Sequence, residues 1–99
     1  MNGYLLSPAA QADLGQIWDY STCKWGEDRA NRYIPGIRDA CGALAEGSRQ
    51  GRPIDAIRPG CRKLAAASHF LFYRVSDSGL VDMVRILHQR MNVAEHLQD

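Results

Sequence analysis

Ser68-His69-Phe70-Leu71-Phe72-Tyr73-Arg74-Val75 is followed by the turn Ser76-Asp77-Ser78-Gly79. Leu80 to Met91 comes next and closes with Arg85-Ile86-Leu87-His88-Gln89-Arg90-Met91. Two apolar runs rich in aromatic and β-branched residues, joined by a short polar turn, predict a β-hairpin. Arg74 and Arg85 stand inside these strands, where a plain core strand carries Val or Thr. The sheet face that they line is therefore expected to meet a partner.

Upstream, Tyr4-Leu5-Leu6 reads as a short strand that runs into Ser7-Pro8. The serine hydroxyl is suited to accept an orphan backbone N–H, and proline at the first helical position loses no bond by lacking its own. Ala10, Leu14, Ile17, Trp18, Ser21 and Trp25 then recur at steps of three and four, as one buried helix face requires. Gly26 marks the end of that helix. Glu27 and Asp28 open a second helix, where acids oppose the positive end of the dipole. Ala30, Tyr33, Ile34, Ile37, Ala40, Cys41 and Leu44 trace its stripe. Pro35-Gly36 lies inside the stripe and predicts a kink, but the apolar phase continues on both sides, so one bent helix is expected.

The segment from Glu46 to Ala56 has the Gly, Ser and Pro content of a surface loop, and the chain is expected to be extended from Ile57 onward. Arg58-Pro59-Gly60 reads as a turn or as the lead-in to a strand over Cys61 to Ala67. Asn92-Val93-Ala94-Glu95 has the form of a capping box and predicts a short C-terminal helix. The order strand, helix, helix, strand, strand, strand gives an α+β class: an antiparallel helical hairpin packed on a mostly antiparallel sheet, as a single domain over residues 1–99.

Strand alternation puts Phe70, Phe72 and Arg74 on one face and Leu71, Tyr73 and Val75 on the other. By the same rule Met83, Arg85 and Leu87 oppose Asp82, Val84, Ile86 and His88. Both faces are largely apolar and the helices cover only one of them. The other is expected to be an uncovered apolar surface set with arginine, the kind of surface that marks a binding site.

Net charge is +1 over the 99 residues. Residues 1–48 hold four basic residues against six acids, and residues 49–99 hold eight against five, seven of the eight being Arg. That asymmetry predicts an anionic partner on the C-terminal half. No apolar run approaches the roughly 20 residues that span a bilayer, and no secretory signal is read at the N-terminus. Cys23, Cys41 and Cys61 are odd in number and lack metal-ligand spacing; reduced thiols in a cytoplasmic protein are expected, without metal or organic cofactor.

Enzymatic signals are sparse. His69, His88 and His96 are dispersed, no carboxylate pair has acid–base spacing, and the glycines form no phosphate loop. Cys61 between Arg58 and Arg62 has the setting of a lowered-pKa thiol, although a filler role fits it better. A metal-free nuclease would draw on Arg58, Arg62, Arg74, Arg85, His88 and Arg90, with arginines holding phosphate and histidine moving a proton. The same arginines would equally grip the acidic tail of a protein partner.

Ser7-Pro8-Ala9-Ala10-Gln11-Ala12-Asp13-Leu14 with Ile17-Trp18-Asp19-Tyr20 resembles the opening of ParE-type toxins. Trp25-Gly26, Gly51-Arg52-Pro53, Arg58-Pro59-Gly60-Cys61-Arg62, His69 to Val75 and Arg85 to Met91 follow in the order of that family, so the chain is similar throughout to the ParE branch of the RelE/ParE superfamily. The resemblance implies the toxin of a type II toxin–antitoxin module, paired with a ParD-like antitoxin and directed at DNA gyrase, with no catalytic residue. The RelE branch cuts mRNA on the ribosome and is the alternative. Its C-terminal tyrosine has no counterpart here after Tyr73, which favours the ParE branch. Trp18, Tyr33, Ile37, Arg58, Arg62, Arg74, Arg85 and Arg90 are the expected antitoxin contacts, and Arg85, His88, Arg90 and Met91 the expected target contacts.

Overall fold

The computed structural model describes residues 3–89. In chain order the elements are β1 (Tyr4–Leu6), α1 (Pro8–Trp25), α2 (Glu27–Glu46), β2 (Arg52–Pro53), β3 (Arg62–Ala66), β4 (His69–Val75) and β5 (Val81–His88). The sheet runs β1-β5-β4-β3-β2, antiparallel except for the parallel pairing of β1 with β5. The α+β hairpin-on-sheet architecture is as the sequence predicts, with one addition: Arg52–Pro53, read as loop, pairs with Arg62 and Lys63 as a short outer strand. The expected C-terminal helix lies outside the described residues.

Local chemistry sets the helix ends. Ser7 Oγ accepts the Ala10 amide at 3.0 Å and Pro8 opens α1. Gly26, at φ 90°, ends α1 and begins α2, a backbone angle that disfavours any residue with a Cβ. Helix α2 passes through Pro35 as a single element. Asn31, whose carbonyl loses its helical donor to that proline, is exposed.

The helices bury Ala10, Leu14, Ile17, Ile37, Cys41 and Leu44 against Leu71, Tyr73, Val81, Met83 and Ile86 of the sheet. Met83 and Ile86 do not alternate simply: a bulge pairs Phe72 with Arg85 but Tyr73 with Met83, leaving Val84 over. One extra residue reverses the phase of everything beyond it. Ile86 thereby joins the helix-side core and Leu87 goes to the opposite face, which corrects the alternation inferred for this strand.

The second face is also not bare, contrary to expectation. Ile54 and Cys61 cover Phe72 and Leu87, whose exposure is 0% and 2%. The covering segment is not extended: it folds on itself through Ile57 N–H and Arg58 N–H to the Ile54 carbonyl, and Ile54 N–H to the Cys61 carbonyl. Phe70 and Val84 remain half-buried at its margin, with the Lys63 ammonium 4.6 Å from the Phe70 ring.

Candidate functional site

Strand β1 is three residues long, so it covers only the first part of β5. Past its end, helix α1 takes over the strand edge. Ser7 N–H donates to the Met83 carbonyl and Ser7 Oγ to the Val84 carbonyl; the Asp13 carboxylate accepts the Ile86 amide at 2.9 Å. Asp13 also receives Arg85 Nε at 2.8 Å and a second guanidinium nitrogen at 2.9 Å. A free edge is a template for unwanted pairing, and here side chains of the neighbouring helix occupy it.

Two concavities flank this ion pair. On one side is a pocket of about 390 Å³ between the first turn of α1 and the sheet, where Arg58, Arg74 and Arg85 converge with Asp82. The Arg74–Asp82 pair is long, at 3.4 Å, and both partners are well exposed. On the other side is a groove of about 670 Å³ between α1 and Arg85–His88. Tyr20 and Trp25 stand at its rim, 58% and 39% exposed, and Ser21 lies in its wall. Ser21 Oγ is buried with no hydrogen-bond partner among the described residues.

Rings run beside the groove in one series. Tyr20 meets Trp25 at 5.9 Å, Trp25 meets Tyr33 at 6.0 Å, Tyr33 meets His69 at 5.6 Å and His69 meets His88 at 5.2 Å. The Arg29 guanidinium lies over Trp25 at 4.6 Å. Tyr33 Oη accepts the Ser68 amide and lies 2.6 Å from His69 Nδ1. The hydroxyl has a second lone pair and one proton left, so it can donate to Nδ1 or accept from an Nδ1–H, according to the ring tautomer. Burial first, and the neighbouring His88 second, hold His69 down at about 4, with Asp13 pulling weakly the other way. Held there, His69 is neutral at pH 7.

The structure distributes the residues singled out in the sequence. Arg58, Arg74 and Arg85 come together, and Arg85 and His88 share the groove. Arg62 instead donates to the Gly51 carbonyl at 3.0 Å and lines a different concavity, with Tyr73 and Val75. Trp18 is half-buried on α1. Ile37 is 1% exposed and belongs to the chain's own core. Arg90 and Met91 lie outside the described residues. Asp13 was missed, although its signal was present: it occupies the buried stripe of α1 one residue before Leu14, at helical spacing from Ala10 and Ile17. Among the described residues no group of His, Cys, Asp and Glu could hold a metal ion, and no helix is long and apolar enough to cross a membrane.

Residues 4–93 match the family model described as ParE toxin of type II toxin–antitoxin system, parDE. The chain belongs to the ParE toxin family. It is 53% identical over 94 residues to Toxin ParE1 of Mycobacterium tuberculosis, covering 95% of this chain and 96% of that protein. It is 40% identical over 97 residues to Toxin ParE1 of Caulobacter vibrioides, covering 98% and 99%. The same fold is found in a solved chain of the chromosomal ParDE toxin–antitoxin system from P. aeruginosa, with a TM-score of 0.75 at 24% identity over 89% of this chain and 96% of that one. The ParE motifs thus have structural reasons here: Asp13 seals β5, and Gly51 lets the chain pass against Lys63 and the Tyr73 hydroxyl, where a Cβ would collide.

Proposed function

We propose that this ParE toxin acts by binding rather than by catalysis, that its target when free is DNA gyrase, and that a ParD-like antitoxin neutralises it. The observation that carries this reading is the match to the ParE toxin family over residues 4–93. An antitoxin partner is further supported by the solved relatives, one from a ParDE system and another from the RelBE2 toxin–antitoxin complex.

The site chemistry favours binding over RNA cleavage. A general acid or base works best with a pKa near the operating pH, and His69 is held at about 4 with Nδ1 occupied by Tyr33. Arg85, which a nuclease would use on phosphate, has two of its donors on Asp13, whose carboxylate offsets its charge. Trp18, Tyr33, Arg58, Arg62, Arg74, Arg85 and Arg90 are the candidate antitoxin contacts in this reading, and Arg85, His88, Arg90 and Met91 the candidate target contacts.

Expression of the toxin alone should arrest growth, induce the DNA-damage response and produce filaments, and co-expression of the antitoxin should abolish all three. Purified toxin should inhibit supercoiling by gyrase. Gyrase activity unchanged at saturating toxin, together with discrete mRNA cuts in primer extension, would replace this reading with the ribonuclease one.

A further inference from the structure

We propose that the pocket between the first turn of α1 and the sheet, where Arg58, Arg74 and Arg85 converge, is a carboxylate socket that seats one Glu or Asp side chain of an acidic protein segment; only the identity of that segment, the antitoxin, rests on the function proposed above.

Geometry, charge and competition support the assignment. Three guanidinium groups and one carboxylate line a concavity of about 390 Å³. Arginine presents a planar fork of donors that matches a carboxylate in two-bond geometry. Asp13 fixes Arg85 from behind through Nε and a terminal nitrogen, so this wall of the socket is oriented before anything binds. The positive end of α1 faces the same space through Pro8 and Ala9, and α1 has no acidic residue in its first turn, whereas α2 has Glu27 and Asp28.

Among the described residues that line the pocket, the acid is Asp82, and it is a weak occupant. It meets Arg74 at 3.4 Å with both side chains more than two-fifths exposed, and such pairs contribute little. A better-placed carboxylate would displace it. The charges of Arg58 and Arg74 also converge at depth: both act to lower the pKa of the buried Cys61 thiol, with Asp82 opposing.

A nucleic-acid backbone fits less well. Phosphate tracks need a row of cations along a surface, whereas here the cations meet at one point, include an acid, and belong to a chain of net charge +1.

Titration of nitrogen-15-labelled toxin with N-acetyl-glutamate amide tests the socket without any partner. Saturable shifts are expected at the Ala9 amide and at the Nε–H of Arg58 and Arg74, absent with N-acetyl-glutamine amide and lost in the Arg58→Gln/Arg74→Gln variant. That variant changes half-exposed side chains and should keep its melting temperature. Shifts that grow linearly, or spread equally over Arg29, Arg32 and Arg38, overturn the proposal. Saturation by inorganic phosphate or a short DNA oligonucleotide but not by the glutamate probe also overturns it, in favour of a phosphate site. With purified antitoxin, Arg58→Glu should weaken binding by roughly 30-fold or more, and a Lys at one acidic antitoxin position should recover much of it. Equal antitoxin binding by wild type and variant with a flat titration removes the socket and leaves the antitoxin reading intact. A saturable titration in a toxin that no antitoxin binds does the reverse.

Discussion

Arg85 of β5 and Asp13 of α1, 72 residues apart in the chain, join through two parallel hydrogen bonds at 2.8 and 2.9 Å, and the same carboxylate accepts the backbone amide of Ile86. Asp13 is only 6% exposed. One side chain therefore neutralises a cation, satisfies a strand amide and ties the first helix to the last strand. Removing Asp13 takes one partner from a part-buried guanidinium and the acceptor from a buried strand amide, at a cost of about 3 kcal/mol. Asp13→Ala should lower the unfolding free energy in urea by about that amount, while Asp19→Ala, on the exposed face of α1, should change it by less than about 0.5 kcal/mol. A loss below about 1 kcal/mol for Asp13→Ala would show that the pair does not hold the helix to the strand.

Gly51 and Tyr73 make a second such joint. The Gly51 amide donates to Tyr73 Oη at 2.6 Å in a buried setting. Tyr73→Phe leaves that amide without a partner and should cost about 1–3 kcal/mol. Gly51→Ala places a methyl group against the Lys63 carbonyl and the Tyr73 hydroxyl, neither of which yields easily, and should cost at least as much. If the alanine variant unfolds at the wild-type urea midpoint, the close approach of β2 to β3 at Gly51 is wrong.

Much of this architecture was legible because its determinants are local. Ser7-Pro8 reads as a helix start from the chemistry of the two residues alone, and Gly26 as a helix end. The stripe from Ala30 to Leu44 held phase across Pro35, which is why one helix was the right inference. What escaped was tertiary. The extra residue at Val84 is invisible to an alternation rule, since nothing in Met83-Val84-Arg85 distinguishes a bulge from a regular strand. The Ile54–Cys61 segment reads as the end of a loop and then extended chain, because its work, covering Phe72 and Leu87, is done against residues far along the chain. Arg85 was read as a residue waiting for a partner, and its internal partner was an acid on a stripe expected to be apolar.

The three cysteines should separate by reactivity. Cys23 is exposed, whereas Cys41 and Cys61 are buried. Burial pushes the Cys41 thiol up to about 11 against the opposing pull of Arg38; burial also raises Cys61, with Arg58 opposing. Only the thiolate alkylates readily. Brief treatment of native toxin with iodoacetamide near pH 8 should add one group, at Cys23, and treatment in denaturant should add three. Native labelling of Cys61 ahead of Cys23 would mean that the Ile54–Cys61 cover opens in solution.

Acid should weaken the fold through His69. Its imidazole is held at about 4 in the folded chain, mainly by burial and then by His88, against 6.5 for the group in water. Below pH 6.5 the unfolded chain takes up a proton at this site while the folded chain does not do so until near pH 4, so the unfolded state binds more protons across that window. The stabilisation associated with neutral His69 is therefore complete above pH 6.5 and is lost progressively as pH falls towards 4. Protonation would also make the ring the donor in its contact with Tyr33 Oη, so the change is felt at the joint between α2 and β4. Allowing for partial solvent access, the loss should be on the order of 1–2 kcal/mol. Urea unfolding of wild type at pH 7 and pH 5, set beside His69→Gln, isolates it: the wild type should lose stability by that margin relative to the variant, in which the amide oxygen can still accept from Tyr33 and no proton is taken up at position 69. Parallel pH profiles for the two proteins would show that the acid sensitivity does not come from His69.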